Sequence, residues 1–310
     1  MVSPGHAVVM SRAGGTYRVY CDGEVLAASL RGRVKHGAEE RVLVGDRVTL
    51  ELHRDGSVTI EGVEDRKSLL RRRSPGKRRG VRAVAANVDQ VVVVGSVREP
   101  QWDPYLVDRF LAVSEANQLP VLLVINKSDL AVGPAGSAGS ADLAAPYEAA
   151  GYEVVRTSAR TGEGLDTLHR RLGGRASVFT GPTGVGKSSL LNALQPGLKL
   201  RTREVSARSG AGRHTTVTAE MHLFEPDGFV IDTPGLRDIG LWGLEPLDVV
   251  HAFPEIARLA PECRFDNCRH LGEPRCAVEA ASARGAVVPS RLWSYRQLLR
   301  EALEAARPWS

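Results

Sequence analysis

One segment of the chain has the residue types and the spacing of a phosphate-binding loop. Residues 181–188 fit the pattern G-x-x-x-x-G-K-S/T, and they lie between an apolar strand predicted at 176–179 and a helix-like run at 189–194. Glycines let backbone N–H groups turn toward phosphates, and a helix N-terminus adds positive potential. Lys187 would neutralise the outer phosphates, and the Ser188 hydroxyl can bind Mg²⁺. The pattern predicts a nucleoside triphosphate site without distinguishing ATP from GTP.

A second motif favours guanine as the base. Asn126, Lys127, Ser128 and Asp129 follow a strand predicted at 121–125 and resemble the N-K-x-D motif of GTPases. A carboxylate such as that of Asp129 can accept hydrogen bonds from both the ring N–H and the exocyclic amine of guanine, a donor pair that adenine lacks. Asn126 would brace the loop and Lys127 would lie along the base. The resemblance implies GTP.

Two residues at the end of the next predicted strand, 153–157, extend this guanine site. Ser158 and Ala159 resemble the short S-A-x motif of the same enzymes. The resemblance implies that the N–H of Ala159 faces the guanine oxygen.

A magnesium and γ-phosphate site is indicated farther along the chain. Asp232 and Gly235 form a D-x-x-G motif after a strand predicted at 229–231. The resemblance implies that Asp232 holds Mg²⁺ through water and that the Gly235 N–H senses the γ-phosphate. Either Thr215 or Thr216, which lie between this motif and the phosphate-binding loop, would serve as the switch threonine.

Three of the four cysteines form a cluster with one histidine. Cys263, Cys268, His270 and Cys276 fall within fourteen residues and match the Cys₃His set that binds Zn²⁺ tetrahedrally. Because the protein fills all four positions, we expect a structural zinc site, one per chain. Cys21 stands apart and is predicted to be a small buried core residue.

The elements that must position these residues begin with a small barrel. The first eighty residues read as short extended pieces broken by Gly and Asp, which favours an OB-fold. The predicted strands are 16–20, 25–30, 41–44, 46–52 and 57–63.

Positive charge is concentrated near the front of the chain. The net charge is +5, but residues 1–82 hold 17 Lys/Arg against 10 Asp/Glu, and the remainder holds 24 against 26. Residues 66–82 contain nine Lys/Arg and no acid, which predicts a flexible basic linker. Such a run could supply salt-sensitive contacts to RNA phosphates.

From residue 87 the pattern changes to alternating strands and helices, which indicates parallel βαβ units. The first strand is predicted at 88–94 and is followed by a helix over 104–117. Beyond about residue 240 the strands stop, and a C-terminal helix is predicted over 290–306. Its apolar residues recur at helical spacing: Leu292, Tyr295, Leu298, Leu299 and Leu303.

The order of the motifs narrows the identity. GTPases ordinarily place the phosphate-binding loop before the base-recognition motifs, whereas here residues 126 and 158 precede residue 181, so the domain is predicted to be circularly permuted. With a basic barrel before it and a Cys-His cluster after it, the chain resembles the ribosome small-subunit-dependent GTPase A family. The resemblance implies a multidomain α/β protein, with an OB barrel and basic linker (1–82), a permuted GTPase domain (83–240) and a helical zinc module (241–310).

The resemblance also implies a function and a set of site residues. It implies a GTP hydrolase that binds the 30S subunit and 16S rRNA during late subunit maturation, as a cytoplasmic monomer that needs Mg²⁺ with GTP. The GTP-binding residues would be Asn126, Lys127, Ser128, Asp129, Ser158, Ala159, Gly181, Pro182, Thr183, Gly184, Val185, Gly186, Lys187, Ser188, Ser189 and Gly235. Magnesium would be held by Ser188, Thr215, Thr216 and Asp232, and the catalytic residues would be Lys187, Asp232, Thr216 and His214.

The residue that orients the attacking water is not evident. GTPases commonly place a Gln directly after D-x-x-G, but this chain has Leu236, which cannot hold a water. His214 is a candidate substitute. Members of the family can carry a His just after Gly-Leu-Trp, where this chain has Gly243. We therefore expect slow intrinsic hydrolysis that rises when the ribosomal subunit orders the switches.

Two other classes of function compete with this reading. In one, the protein is an RNA-binding scaffold that holds guanine nucleotide structurally, which Leu236 leaves open. In the other it is a signalling GTPase with a protein effector, which would not need a basic barrel. No apolar run of the 310 residues approaches the ~20 needed to cross a bilayer, and no signal-peptide pattern is present, so we expect a cytoplasmic protein without a membrane role.

Overall fold

The computed structural model describes residues 6–31, 42–73, 81–131, 142–198, 219–232 and 244–306. Within these ranges a closed barrel, a six-stranded sheet flanked by helices, and a helical module follow one another along the chain. This is the predicted multidomain α/β architecture. None of the helices in these ranges is long and apolar enough to cross a membrane.

The N-terminal barrel closes through five strands in the order β1-β2-β3-β5-β4, which confirms the OB-like barrel. Alternate side chains point into it, and Tyr17, Val19 and Cys21 are buried, so Cys21 is a core residue as predicted. The strands are β1 (His6–Ala13), β2 (Thr16–Cys21), β3 (Glu24–Leu30), β4 (Arg47–Leu52) and β5 (Val58–Val63).

The barrel differs from the sequence prediction in two strands, one predicted and not found and one found and not predicted. No strand occupies the described part of 41–44, where Val44 makes only an isolated bridge to Ala85. The Asp46 carboxylate accepts a hydrogen bond from the Leu43 N–H at 2.7 Å and turns the chain there. Strand β1, which the sequence prediction missed, pairs instead with both β2 and β4.

The prediction of a flexible linker over residues 66–82 is wrong in the part that the structure describes. Strands β6 (Leu69–Arg73) and β7 (Val81–Ala86) pair antiparallel, and we call these two strands the basic arm. Leu70 and Ala85 are buried in the core of the following sheet, which explains why the arm is ordered. The Arg71 N–H donates to the Asn117 side chain at 2.8 Å, which fixes the arm to the first long helix.

The central sheet has the strand order β10-β9-β8-β11-β13-β12, and all neighbours are parallel except β12 and β13. Its strands are β8 (Gln90–Ser96), β9 (Val121–Asn126), β10 (Glu153–Arg156), β11 (Ala176–Thr180), β12 (Glu220–Phe224) and β13 (Gly228–Asp232). Helices α1 (Pro104–Ala116), α2 (Ala145–Ala150), α3 (Leu165–Leu172) and α4 (Lys187–Leu194) connect them. Strand β11 follows β8, β9 and β10 in the chain yet lies in the middle of the sheet, as circular permutation requires.

The C-terminal module contains α5 (Pro246–His251), α6 (Pro254–Ala257), α7 (Ala277–Ala283) and α8 (Pro289–Ala306). The predicted C-terminal helix is therefore confirmed to within one residue. A buried ionic cluster joins this module to α1: the Arg291 guanidinium lies 2.6 Å from Asp108 and 2.8 Å from Glu255. The centroid of the Phe253 ring lies 4.6 Å from the central carbon of the Arg291 guanidinium.

The barrel packs against the edge of the central sheet that is formed by β12 and β13. Arg18 lies 3.6 Å from Glu220 of β12, and the rings of Tyr20 and Phe229 meet edge to face at 6.0 Å. The Asn87 side chain, at the entry to the sheet, donates to the Gly45 carbonyl at 2.9 Å. The barrel thus contacts the two strands that lead toward Asp232.

Candidate functional site

The phosphate-binding loop lies between β11 and α4, where the sequence predicts it. Two of its glycines are required by close approach as well as by backbone conformation. Gly181 has φ +135°, and a Cβ there would lie 2.1 Å from the Val94 carbonyl oxygen. Gly186 has φ +94°, and its Cβ would lie 2.6 Å from the Asn126 amide nitrogen. Any larger residue at either position would force the loop off the sheet.

Lys187 opens α4 and lies at the mouth of this loop. Its ammonium group donates to the carbonyl oxygens of Gly181 and Pro182, each at 2.7 Å. Ser188 and Ser189 follow in the first turn of the helix, where backbone N–H groups have no partner inside the helix. The loop therefore gathers a cation, a helix N-terminus and two hydroxyls at one place, which is the chemistry of a phosphate site.

Asn126 connects the base-recognition motifs to the phosphate-binding loop. It is the last residue of β9 and is fully buried. Its amide nitrogen donates to the Val185 carbonyl at 2.9 Å, and its oxygen accepts from the Thr157 hydroxyl at 3.2 Å and the Ala159 N–H at 3.4 Å. The Asn126 side chain thus joins the end of β9 to two segments that are distant in sequence, residues 157–159 and the phosphate-binding loop.

Asp129 lies beside Ser158, as the two motifs predict. Its Oδ1 accepts from the Ser158 hydroxyl at 2.6 Å, and its Oδ2 accepts from the Arg160 guanidinium at 2.9 Å. The Ser158 hydrogen bond, with the Arg160 charge close by, lowers the pKa of Asp129. The carboxylate is therefore ionised at neutral pH and can accept hydrogen bonds from a base.

Lys127 and Ser128 form the turn between Asn126 and Asp129. Lys127 has φ +59°, and its ammonium group donates to the Glu99 carbonyl oxygen. The Ser128 hydroxyl donates to Glu163 at 2.7 Å. Both contacts tie the N-K-x-D turn to neighbouring loops.

The magnesium side of the site is described only in part. Asp232 ends β13, the strand beside β11, so its backbone reaches the same edge of the sheet as the phosphate-binding loop. The other predicted residues, His214, Thr215, Thr216 and Gly235, lie outside the described residues, as do Leu236 and Gly243.

The predicted metal cluster is brought together. The ligand atoms of Cys263, Cys268, His270 and Cys276 all lie within 4.8 Å of one another, so this cluster could hold a metal ion. Burial raises the pKa of the Cys268 thiol to about 12, and it lowers the pKa of His270, so the imidazole is neutral and can act as a ligand. A bound cation would reverse the cost of ionising the thiols.

Hydrogen bonds from the neighbouring backbone and from α8 shape the loop that carries these ligands. The Glu273 carboxylate accepts from the N–H groups of Arg269 and Leu271 at 2.9 and 2.7 Å. Arg296 of α8 donates to the His270 carbonyl at 2.8 Å. The ligand loop is therefore fixed to the longest helix of the module.

Three contributors to the nucleotide site were not found from the sequence. Glu99 acts through its backbone carbonyl, which no residue type marks, and Glu163 reads as an ordinary exposed acid of a turn. Arg160 did have a signal, since it is the third residue of the S-A-x motif, but the pattern leaves that position free.

Comparison with known proteins agrees with this geometry. A sequence model of the RsgA GTPase family matches residues 63–242, more than half of the chain. The chain is 47% identical over 308 residues to the small ribosomal subunit biogenesis GTPase RsgA of Gemmatimonas aurantiaca, covering 98% of this chain and 99% of that protein. It is 40% identical to the protein of the same name from Moorella thermoacetica, covering 97% and 99%.

Two solved structures have the same fold. The crystal structure of YjeQ from Thermotoga maritima superposes with a TM-score of 0.79 at 34% identity, covering 99% of this chain and 100% of that one. The crystal structure of YloQ, described as a circularly permuted GTPase, superposes with a TM-score of 0.76 at 26% identity, covering 99% and 98%. Both likenesses extend through the barrel, the sheet and the helical module.

Proposed function

This chain belongs to the RsgA GTPase family, and we propose that it hydrolyses GTP while bound to the small ribosomal subunit, during the late maturation of that subunit. Full-length relatives named small ribosomal subunit biogenesis GTPase support the biological role. The observation that carries the chemistry is the position of Asn126. Its side chain bridges Val185 of the phosphate-binding loop and Ala159 of the base motif, so base and phosphate sites form one site despite the inverted order.

We assign the nucleotide contacts to this site. Asp129 accepts hydrogen bonds from guanine, Lys127 lies along the base, and the Ala159 N–H faces the guanine oxygen. The loop from Gly181 to Ser189 surrounds the phosphates, with Lys187 neutralising their charge. Ser188, Asp232 and either Thr215 or Thr216 bind Mg²⁺, and Gly235 contacts the γ-phosphate.

Catalysis by this set is mainly positioning and electrostatic stabilisation of the transferring phosphoryl group. Because Leu236 follows D-x-x-G, the chain lacks the usual water-orienting Gln at that position. We propose that intrinsic hydrolysis is slow, that His214 is a candidate to orient the water, and that the ribosomal subunit accelerates the reaction by ordering the switches.

We propose that the metal held by the Cys-His cluster is Zn²⁺ in a structural role. A tetrahedral site with Zn–S near 2.3 Å and Zn–N near 2.0–2.1 Å separates sulfurs by roughly 3.8 Å and sulfur from nitrogen by roughly 3.5 Å. The Sγ atoms of Cys263 and Cys276 are 4.0 Å apart. The His270 Nδ1 lies 3.6 Å from Cys263, 3.6 Å from Cys268 and 3.4 Å from Cys276. These four distances lie within about 0.2 Å of the tetrahedral values and support zinc.

We propose that the partner surface includes the barrel and residues 66–82, a run that holds nine Lys/Arg and no acid and carries the excess positive charge of the chain. They would contact phosphates of 16S rRNA, so binding to the 30S subunit should weaken steeply as salt rises. The remaining proposals are a cytoplasmic location, a monomer, and domain limits of 1–82, 83–240 and 241–310.

The test is multiple-turnover phosphate release by the full-length protein, alone and with purified 30S subunits. Strong stimulation that is lost in Lys187→Ala and kept in Arg170→Ala, an exposed cation of α3 outside the site, supports the proposal. Absence of stimulation with intact 30S binding would instead favour the scaffold role. Stimulation without any salt-sensitive 30S binding would favour a protein effector.

A further inference from the structure

One ion pair of the nucleotide site joins an exposed arginine to a nearly buried carboxylate. The side chain of Arg160 is 75% exposed, whereas that of Asp129 is only 10% exposed. The guanidinium reaches Oδ2 of the carboxylate through Nε at 2.9 Å and through Nη2 at 2.8 Å. The other oxygen, Oδ1, accepts from the Ser158 hydroxyl at 2.6 Å. Both carboxylate oxygens are therefore held, from two different directions.

This pair differs from other arginine–carboxylate pairs around the same sheet. Arg156 pairs with Asp142, and Arg171 pairs with Glu153, but in those pairs both side chains are about half exposed. Exposed pairs of that kind contribute little to the stability of a protein. Only the Asp129 carboxylate, among these three, lies in a motif assigned to ligand recognition.

The turn that carries Arg160 is fixed by the same hydroxyl that binds Asp129. The Ser158 oxygen accepts from the N–H of Arg160 at 3.3 Å and from the N–H of Thr161 at 3.1 Å while its own hydroxyl donates to Asp129. The position of the guanidinium relative to the carboxylate is therefore set by local backbone geometry, and the pair is part of the built site.

The number of acceptor positions on the carboxylate matters for guanine. An ionised carboxylate offers about four lone-pair positions, and Ser158 and the two Arg160 N–H groups occupy three. Guanine would present two donors, the ring N–H and the 2-amino group. If one of the two Arg160 N–H groups releases its hydrogen bond, the carboxylate can accept both guanine donors. The remaining Arg160 N–H group still keeps the carboxylate in its orientation.

We propose that Arg160 is a positioning residue for guanine specificity, which holds the Asp129 carboxylate in the orientation that accepts both donors of the base. The inference rests on the proposed role of Asp129 in binding guanine. It assigns a role to the third residue of the S-A-x motif, where the motif itself sets no requirement.

The test measures dissociation constants of the full-length protein for GDP, IDP and ADP by competition with a fluorescent GDP analogue. IDP retains the ring N–H but lacks the 2-amino group, so the ratio of the IDP to the GDP constant reports how well Asp129 receives that group. In Arg160→Ala we expect GDP binding to weaken about three- to tenfold and ADP binding to stay unchanged. IDP should weaken less than GDP, because it presents only one of the two donors, so the IDP/GDP ratio should fall. Arg160→Lys should restore part of the ratio.

The matched control is Arg156→Ala, which removes an arginine four positions earlier that pairs with Asp142 at 2.6 Å outside the site. The control should leave all three constants unchanged. Equal weakening for GDP, IDP and ADP in Arg160→Ala would mean a structural role and would overturn the proposal. An unchanged ratio, or tighter GDP binding, would also overturn it, since the latter would mean that Arg160 competes with the base.

A separate variant tests the assignment on which the inference depends. Asp129→Asn replaces one acceptor by an amide donor that matches the 2-oxo group of xanthine, so XDP should gain on GDP. If that ranking does not move, the guanine assignment of Asp129 fails, and the role of Arg160 fails with it. If it moves while the Arg160 variants keep the wild-type ratio, only the role of Arg160 is wrong.

Discussion

The four ligands of the metal cluster lie within fourteen residues of sequence, whereas the hydrogen bond that joins the two halves of the nucleotide site links residues 126 and 185, 59 positions apart. The Cys-His cluster is a local loop, and the zinc proposed for it would stabilise that loop. The nucleotide site needs the whole parallel sheet, because its groups come from the ends of β9, β10 and β11. The two sites should therefore respond differently to the same kind of damage.

The largest effect is expected from loss of a metal ligand. With the zinc proposed above, Cys276→Ser removes one of the four ligands, so zinc content should fall from one per chain to near zero. The module should also lose stability, because structural zinc contributes on the order of 10 kcal/mol to the folding of a small module. Hydrogen exchange should show loss of protection over residues 277–306. The affinity for GDP should change by less than about twofold, since no ligand of the cluster contacts that site.

Cys21→Ser is the matched control, because Cys21 is a buried cysteine of the barrel far from the cluster. Its zinc content should equal that of the unmodified protein. If Cys276→Ser instead weakens GDP binding as strongly as it lowers zinc content, the two sites are not independent.

The second-largest effect is expected at the ionic cluster that joins the helical module to α1. Arg291→Ala leaves the carboxylates of Asp108 and Glu255 without their buried cation, which is expected to lower the free energy of unfolding by about 3–5 kcal/mol. Urea denaturation followed by fluorescence measures this. The exposed Arg300, nine residues along the same helix, gives the control: Arg300→Ala should lower the free energy of unfolding by less than about 0.5 kcal/mol.

Removal of the Asn126 side chain should damage only the nucleotide site. Asn126→Ala deletes a buried amide with three hydrogen-bond partners, so we expect the GDP dissociation constant to rise about 30- to 150-fold. Titration with fluorescent GDP measures it, and zinc content should not change.

Asn117→Ala is a suitable comparison, because Asn117 accepts from the Arg71 N–H at the end of α1 and not in the site. It should lower the melting temperature while leaving GDP affinity intact. Equal losses of affinity in the two variants would show that Asn126 acts through general stability.

The smallest expected effect is that of pH on GDP binding. Because the pKa of Asp129 is lowered in the folded protein, the carboxylate and its contacts are fully formed above the ordinary aspartate pKa, near 4, and are lost only as pH falls below it. The GDP dissociation constant should therefore stay constant within about twofold from pH 8 to pH 5. A rise beginning near pH 6 would mean that Asp129 is not held as an ionised acceptor.

The chemistry of this protein was easier to predict from sequence than its contacts. Gly181, Lys187, Asn126 and Asp129 are required by the ligand, so their types and spacing remain readable whatever the surrounding packing. Strand β1 was missed because His6–Ala13 mixes buried and exposed residues without strict alternation. The basic arm is not predicted as strands because its local composition is dominated by Arg and Lys, whereas the burial of Leu70 against the sheet depends on tertiary structure.

Helix α8 shows most clearly where hydrophobic patterning does not predict which side chains are buried. Its apolar residues gave the correct length and buried face, yet Arg291 is 1% exposed while Trp293 is 54% exposed. Hydrophobic patterning predicts the reverse. The buried arginine is explained only by Asp108 and Glu255, which lie 183 and 36 positions away in the chain.

The position of β11 in the chain has a consequence for folding during translation. During translation at about 5–20 residues per second, Asn126 is made roughly 3–12 seconds before Val185, the residue to which it must bond across 59 positions. Until β11 has emerged, β8 lacks one of its two neighbouring strands, and β13, which pairs with the other side of β11, has not yet been made. The nascent chain therefore cannot bind nucleotide before most of the enzyme exists, so each new molecule meets its first GTP only after its barrel has already left the ribosome.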